Sequence, residues 1–289
     1  SFRKAVRVQT SLFIALAGQS GSGKTLSALK LARGIAGPDK RIAFIDTEAG
    51  RALHYADMID FDHTEFLPPF RPEKFGEAIK AAEDAGYPVV VVDSMSHEHR
   101  GDGGVLDWFD EEIVRLTKGD EGKAEAMKGV AWIKPKGAHK RLISDLTNRR
   151  ISVIFCLRAE PKIGFVKVDG RMTVVNKGLQ PICDSQFPYE MTLSFMMSAE
   201  NPGIGIPIKL QEQHKHCFPA GKKIDEECGH LLAEWSHGGK AKLATDQRPD
   251  ALRVARDVAE LGTERLKQHW EALPAGVRKT LQPHKDDLK

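Results

Sequence analysis

Gly18-Gln19-Ser20-Gly21-Ser22-Gly23-Lys24-Thr25 fits the pattern G-x-x-x-x-G-K-[ST] at every specified position. The glycines let the backbone approach a polyanion closely, and a helix starting after the loop directs its N–H groups at bound phosphates. In this pattern Lys24 reaches the β- and γ-phosphates, and the Thr25 hydroxyl ligates Mg²⁺. The eight residues therefore predict a site for ATP and Mg²⁺.

The segments flanking this loop predict the strand and helix that it needs. The residues from Leu12 to Ala17 form an apolar run typical of a buried strand. The residues from Leu26 to Ala32 have helical spacing, and Gly37-Pro38 would end that helix. Three more β-branched, apolar segments alternate with helical patterns, at 41–46, 88–93 and 151–157. This alternation predicts an α/β fold with a mainly parallel sheet flanked by helices.

The composition is that of an ordinary globular protein. The 289 residues include 41% hydrophobic and 29% charged residues, and the formal net charge is +3. A charge this small does not indicate nucleic-acid binding by itself, so only local clusters bear on it. The sequence contains neither an apolar run long enough for a bilayer nor the apolar core of a signal peptide. We therefore expect a cytoplasmic protein with reduced cysteines and no membrane partner.

The chain is expected to fold as a core over residues 1–238, a linker over 239–250 and a C-terminal helical unit over 251–289. A long insert after the third strand contains helical patterns at 106–117 and 137–148. After the fourth strand, alternating residues predict a β-hairpin that turns at Asp169-Gly170. Two further short strands are expected at 189–196 and 206–210.

Carboxylates at the ends of two predicted strands suit the cleavage of a triphosphate. Asp93 ends the third strand at the Walker B position, where it would hold Mg²⁺ together with Thr25. The alternative for Asp93 is to cap the following turn. Glu48 follows the second strand and is our candidate for the residue that orients or deprotonates water, with Asp46 as the alternative.

Two of these segments resemble RecA-type recombinases. Ala43 to Glu48, followed by Tyr55-Ala56, is similar to their second-strand segment, whose catalytic glutamate matches Glu48. Val90 to Ser94 resembles their Walker B strand. Within that superfamily the chain is most similar to phage-encoded RecA-like ATPases associated with single-strand annealing. This likeness rests on a Ser-His-Glu and glycine-rich signature, here Ser94-Met95-Ser96-His97-Glu98-His99-Arg100-Gly101-Asp102-Gly103-Gly104.

The resemblance implies a RecA-like P-loop ATPase core in a homo-oligomer, either a ring or a helical filament. It implies that Arg158, after the fourth strand, senses the γ-phosphate and joins Lys24 and Glu48 in catalysis. The alternative for Arg158 is a surface salt bridge with Glu160 or another acid. The resemblance also implies that Lys209 and Lys215 act across a subunit interface.

Another short motif, Phe2-Arg3-Lys4-Ala5, matches a tether by which some recombinases add a strand to the next protomer, or it matches by chance.

Two basic segments combine cations with an aromatic residue, Trp132 in the first and Phe165 in the second. Such mixtures suit single-stranded DNA, because cations follow phosphates and aromatic rings stack on exposed bases. In RecA-type proteins, loops in comparable places hold DNA. The alternative is that these lysines and arginines are ordinary solvent-exposed residues with no role in binding DNA. The candidate DNA-binding residues are Lys134, Lys136, Lys140, Arg141, Lys162, Lys167, Arg171 and Lys177.

These features favour an ATP-dependent, single-stranded-DNA-binding protein that promotes annealing or strand pairing in phage recombination. A single-strand-binding or other recombination protein is a candidate partner. Two alternatives stay open, a P-loop phosphotransferase acting on a small molecule and a packaging or helicase-like motor on duplex DNA. Mg²⁺ is the only metal predicted, because a second set of potential ligands lacks the spacing of strong zinc motifs. That set comprises His214, His216, Cys217, Cys228 and His230.

Overall fold

The computed structural model describes residues 10–168 and 171–238, together with residues 258, 267 and 269–271. The chain divides into two compact units, Ser1–His237 and Gly238–Lys289. In the second unit, Gly238 lies in a turn and the other five described residues are helical. The segment Phe2-Arg3-Lys4-Ala5, the expected linker 239–250 and most of the expected helical unit lie outside the described residues. Within the described part of the chain, no helix combines the length and apolar character needed to cross a membrane.

A sheet of eight strands forms the centre of the first unit. The strands are β1 (Phe13–Gly18), β2 (Ala43–Asp46), β3 (Asp62–Glu65), β4 (Val89–Asp93), β5 (Ser152–Val168), β6 (Arg171–Pro181), β7 (Leu193–Met197) and β8 (Gly205–Lys209). Their order is β3-β2-β4-β5-β1-β7-β8, and β6 pairs only with β5. The β5–β6 and β7–β8 pairs are antiparallel and the others are parallel. The predicted mainly parallel α/β sheet is therefore confirmed.

Eight α-helices accompany these strands in the described residues. They are α1 (Lys24–Ala36), α2 (Pro72–Asp84), α3 (Ser96–Arg100), α4 (Val105–Thr117), α5 (Ala124–Ala131), α6 (Ile133–Leu146), α7 (Phe187–Glu190) and α8 (Glu226–Ser236). Short 3-10 turns occur at Arg51–Tyr55, Glu121–Lys123 and Glu212–Cys217. The two helices expected in the insert are present as α4 and α6, and α5 lies between them without having been predicted.

The first basic segment needs a correction, because it is helical and does not form a loop. Helix α6 begins at Ile133, four residues before the expected start at 137. Pro135 is compatible with this, since a proline in the first turn of a helix removes no intrahelical hydrogen bond. Lys134 and Lys136 therefore lie on a rigid helix.

Strand β4 shows why the core has two layers. Val89, Val90, Val91 and Val92 are all fully buried. Val89 and Val91 belong to a cluster with residues of α1 and α8, whereas Val90 and Val92 belong to a second cluster with residues of α2 and α6. A strand covered on both faces must be apolar at every position, which explains its continuous valine run.

Strand β5 continues far beyond its expected end at residue 157. It runs to Val168 and pairs with β6, with Ala159 opposite Pro181 at one end and Val168 opposite Arg171 at the other. This pairing confirms the predicted hairpin, whose turn residues 169 and 170 lie outside the described residues. The hairpin is named the β5–β6 ribbon below and comprises residues 159–168 and 171–181.

Candidate nucleotide-binding site

The loop between β1 and α1 has a conformation that depends on its glycines. Gly21 and Gly23 have φ angles of +80° and +82°, a region that side chains with a Cβ rarely adopt. A Cβ on Gly18 would lie 2.5 Å from both the Met197 carbonyl oxygen and Ser22 Oγ. A Cβ on Gly23 would lie 2.9 Å from the backbone nitrogen of Gly203. Gly18 is thus required by close contacts, Gly21 by its backbone conformation, and Gly23 by both.

The same loop fits a phosphate group. Ser22 Oγ is buried and has no hydrogen-bond partner among the described residues, so the loop contains a costly unsatisfied donor. Lys24 Nζ donates to the carbonyl oxygen of Gln19 at 2.8 Å, so the ammonium group is held over the loop. Helix α1 begins at Lys24 and directs its first N–H groups toward the same region.

Thr25 and Asp93 are brought together as the sequence predicted. The Thr25 hydroxyl donates to Asp93 Oδ2 at 2.6 Å. Burial raises the pKa of Asp93 to about 6; the Thr25 hydrogen bond opposes this rise, and the neighbouring Glu48 adds to it. A hydroxyl and a carboxylate oxygen are the donors that Mg²⁺ prefers, and a cation here would offset the burial of the Asp93 charge. The pair therefore fits a magnesium ion.

Asp46, the alternative to Glu48, is occupied in shaping the turn after β2. Its Oδ1 accepts the Glu48 backbone N–H at 2.6 Å, and its Oδ2 lies 3.0 Å from His63 Nε2. The turn includes Ala49 at φ +56°, an unfavourable conformation for a residue other than glycine. These bonds give Asp46 a structural role, and the geometry favours Glu48 as the carboxylate that serves the cleft.

Glu48 and Arg158 form a two-point ion pair. Arg158 Nε lies 2.8 Å from Glu48 Oε1, and Nη2 lies 2.6 Å from Oε2. Burial raises the pKa of Glu48, but the hydrogen bonds and charge of Arg158, with His97 and Arg51, outweigh it and lower that pKa overall. Glu160 instead pairs with Arg100, at 2.9 Å. The acid that binds Arg158 is thus the proposed base itself.

A set of hydrogen bonds links the neighbouring strand ends around this pair. Thr47 Oγ1 lies 2.5 Å from His97 Nδ1 and accepts the Ser94 N–H at 2.7 Å. Ser96 Oγ accepts the backbone N–H of Arg158 at 2.9 Å. Burial, together with the charge of Arg158, lowers the pKa of His97. Ser94, Ser96 and His97 belong to the Ser-His-Glu and glycine-rich signature, but none of them was predicted from the sequence to have a role in the site.

The loop and the strand ends surround a cleft of about 850 Å³. This volume is within the range of roughly 300–1,000 Å³ found for ligand pockets. Arg51, His54 and Tyr55 also line the cleft. These three residues were not among the ligand contacts predicted from the sequence, although they directly follow the Glu48 turn.

The expected interface cations are engaged within their own chain. Lys209 Nζ donates to the carbonyl oxygens of Tyr189 at 2.6 Å and Met191 at 2.5 Å. Lys215 pairs with Glu212 at 2.6 Å.

The candidate DNA-binding residues fall into two groups. On α6, Lys134 pairs with Glu112 at 3.0 Å and Arg141 with Glu73 at 3.5 Å, while Lys136 lies 4.9 Å from the centre of the Trp132 ring. Lys140 is exposed on the same helix. The other four cations lie on the β5–β6 ribbon and have no ion-pair partner in the part of the chain that the structure describes. They are Lys162, Lys167, Arg171 and Lys177.

The possible zinc ligands do not assemble into a site. Across residues 10–168, 171–238 and the few described beyond them, there is no group of three or more His, Cys, Asp or Glu side chains placed to hold a metal. His214 packs edge-on against Trp235, with ring centres 4.2 Å apart. Cys217 and Cys228 are buried free cysteines.

Comparison with known proteins gives two positive results. Among solved structures, the chain is similar to a KaiC-like protein from the hyperthermophilic archaeon Pyrococcus horikoshii OT3, with 13% identity, a TM-score of 0.28, and coverage of 58% of this chain and 79% of that one. No curated protein matches. The family model AAA_24, described as an AAA domain, matches residues 10–200, which is more than half of the 289 residues. The match contains the phosphate-binding loop, Glu48, Asp93 and Arg158, and the chain belongs to this family of AAA domains.

Proposed function

We propose that the protein is an ATP-dependent, single-stranded-DNA-binding ATPase of the RecA-like class that promotes annealing or strand pairing in phage recombination. The observation that carries the proposal is the course of β5. This strand presents Arg158 to the nucleotide cleft and continues, through a register shift between Pro161 and Ile163, into the ribbon that bears Lys162 and Lys167. One strand thus links the site for a triphosphate to a cationic surface.

Different residues of the cleft have different roles in ATP hydrolysis. Loop N–H groups and Lys24 bind the phosphates, and Thr25 and Asp93 would hold Mg²⁺. When bound, the ion would neutralise charge on the phosphate oxygens. Glu48 orients or deprotonates the attacking water, for which an ionised carboxylate is needed. The lowered pKa of Glu48 keeps it ionised at neutral pH.

Arg158 is the candidate for the residue that senses the γ-phosphate. While it binds both oxygens of Glu48, it takes one lone pair of each and makes that carboxylate a weaker base, because its charge lowers the pKa of Glu48. The terminal phosphate carries more negative charge than a carboxylate and also accepts a bidentate guanidinium. Movement of Arg158 to the phosphate would therefore report bound ATP and release Glu48 together.

The β5–β6 ribbon is the better of the two candidate DNA surfaces. Opposed residues of paired strands share a face, as do residues two apart along a strand. Ile163, Phe165, Met172 and Val174 consequently share one face, and each is more than half exposed. Lys167 is opposite Met172 and lies on this apolar face, whereas Arg171 lies on the other face, where Lys177 also packs across Gly164. Apolar groups beside unpaired cations suit a single strand with exposed bases and phosphates.

An oligomer is part of the proposal, with ATP bound near or between subunits. Lys209 would have to leave two carbonyl oxygens of its own chain to reach a neighbouring site, and Lys215 would have to leave Glu212. A partner such as a single-strand-binding protein is proposed on the resemblance alone.

The proposed function is tested by measuring ATP hydrolysis without nucleic acid, with single-stranded DNA, with duplex DNA and with nucleoside monophosphates. We expect stimulation by single strands only. Charge reversal of Lys167 and Arg171 on the ribbon should abolish the stimulation, whereas the same reversal at the exposed Lys40 and Lys74 should not. Turnover that requires a monophosphate would identify a phosphotransferase instead, and stimulation by duplex DNA alone would identify a translocating motor.

A further inference from the structure

A second cavity lies at the far edge of the sheet, next to β8. Its volume is about 460 Å³, within the range of roughly 300–1,000 Å³ typical of ligand pockets. It shares no lining residue with the nucleotide cleft. Its walls are mainly apolar and include Phe195, Ile206, Phe218 and Ile224.

The strand beside this cavity is open on one side. In the described part of the chain, β8 pairs with β7 and with no other strand. The segment after Phe218 closes only the beginning of this edge, where the Ile224 N–H donates to the Gly203 carbonyl oxygen at 2.8 Å. Ile206 is 63% exposed beside the cavity, which is a large exposure for an isoleucine next to a ready-made apolar space.

The charges around the cavity indicate which kind of ligand it can bind. Lys215, Lys222 and Lys223 line it, and none of its lining residues is acidic. Lys215 is paired with Glu212, whereas Lys222 and Lys223 have no ion-pair partner among the described residues. An apolar pocket with two unpaired ammonium groups is complementary to an apolar side chain flanked by carboxylates.

We propose that this cavity binds an acidic peptide segment of a partner protein, with one large apolar side chain as its anchor. A nucleic acid fits less well, because the walls offer few polar groups to read a base edge. Pro207 lies in β8 and lacks an N–H, which limits the addition of a full strand at this edge. Most of the affinity therefore comes from the anchored side chain and the two lysines.

The position of the cavity also connects it to the nucleotide loop. Gly203 precedes the cavity wall, and its N–H donates to the carbonyl oxygen of Ser22 at 2.9 Å. The side chain of Lys223 packs within 3.3 Å of where a Cβ on Gly203 would lie. The peptide site is thus separate from the ATP site but borders the residue that contacts its loop.

The test uses the full-length protein and a fluorescein-labelled peptide, Gly-Asp-Glu-Asp-Gly-Phe-Gly-Glu-Asp, followed by fluorescence anisotropy. We expect saturable binding that weakens about tenfold as NaCl rises from about 0.05 M to about 0.5 M. Peptides with Lys in place of the acids, or with Ala in place of Phe, should bind at least about tenfold more weakly.

Substitutions in the cavity wall test whether the peptide binds there. Combined Lys222→Glu and Lys223→Glu should weaken binding at least about tenfold, as should Ile206→Asp. Lys40→Glu with Lys74→Glu, at two exposed lysines without an ion-pair partner among the described residues, and Ile133→Asp are matched controls that should bind as the parent does. Thermal unfolding midpoints confirm that each variant is folded. Unchanged binding in the Lys222/Lys223 variant overturns the proposal. Displacement of the peptide by oligo-dT would also overturn the proposal and would assign the cavity to nucleic acid. A change of oligomer size in the variants without any peptide binding would overturn it as well and would assign the cavity to a second copy of the chain.

Discussion

Arg158 binds both carboxylate oxygens of Glu48, with N–O distances of 2.8 Å and 2.6 Å. The pair joins the turn after β2 to the middle of β5, across the strand β4 that ends at Asp93. It keeps Glu48 ionised despite its burial, and at the same time it takes one lone pair on each oxygen and makes the carboxylate a weaker base. The availability of Glu48 to water therefore depends on where Arg158 lies.

Arg158→Ala tests this dependence. We expect the rate with single-stranded DNA to fall to about the basal rate, because the residue that couples the phosphate to Glu48 is missing. Burial then acts on Glu48 without the arginine, so its pKa should rise and the acid limb of the pH–rate profile should move to higher pH. Steady-state phosphate release as a function of pH measures both effects.

Arg100→Ala is the matched control for Arg158→Ala. Arg100 forms a neighbouring, exposed pair with Glu160, and exposed pairs contribute little. The stimulation of the Arg100→Ala protein by single-stranded DNA, and the acid limb of its pH–rate profile, should match those of the parent protein. Retention of both features by the Arg158→Ala protein would show that the pair does not control hydrolysis.

Glu48→Gln tests the assignment of the base. The amide keeps the size of the side chain but cannot take a proton, so hydrolysis should fall about 10²- to 10⁴-fold while ATP binding survives. Calorimetry with Mg·ATP and phosphate release measure the two properties separately. Glu160→Gln changes an exposed carboxylate on β5, two residues after Arg158, and should leave both properties unchanged. Normal turnover by the Glu48→Gln protein would remove Glu48 from the role.

Asp93→Asn should stabilise the nucleotide-free protein while it abolishes Mg²⁺-dependent hydrolysis. Burial raises the pKa of Asp93 from 3.8 to about 6, so the folded state holds this proton more tightly than the unfolded chain. Asp93 therefore lowers stability progressively as the pH rises from about 4 to about 6, by about 3 kcal/mol in all. Asparagine removes this penalty and can still accept the Thr25 hydrogen bond.

Thermal unfolding at two pH values measures this effect. At pH about 8 the Asp93→Asn midpoint should rise by roughly 5 °C or more, and at pH about 4 the gain should nearly vanish. Asp46→Asn provides the contrast, because Asp46 accepts the Glu48 N–H and pairs with His63, and its loss should lower the midpoint. Destabilisation of both variants at pH about 8 would show that burial does not penalise Asp93.

The parts of the site predicted from the sequence depend on neighbouring residues in the chain. The loop from Gly18 to Thr25 is contiguous, and Asp93 follows a valine run whose burial fixes its place at the sheet edge. The contact between Glu48 and Arg158 joins residues 110 positions apart. It depends on the strand order, in which β4 and β5 lie side by side, and no local pattern specifies that order.

Elements without an apolar pattern were also missed. Strand β3 reads Asp62-His63-Thr64-Glu65, and it forms because β2 offers it a free edge. The part of β5 that joins residue 157 to the predicted hairpin likewise depends on pairing with β6, since its side chains are mostly exposed. In both cases tertiary pairing decides the structure, and intrinsic propensity is a weak guide.

Gly23→Ala and Gly21→Ala separate two reasons for glycine in the phosphate loop. Both residues have φ near +80°, so alanine costs about 1–2 kcal/mol of backbone strain at either position. A Cβ on Gly23 would also lie 2.9 Å from Gly203 N, whereas one on Gly21 meets nothing within 4 Å. We expect Gly23→Ala to abolish measurable Mg·ATP binding and Gly21→Ala only to weaken it, as measured by calorimetry. Equal losses would mean that the contact with Gly203 does not shape the loop.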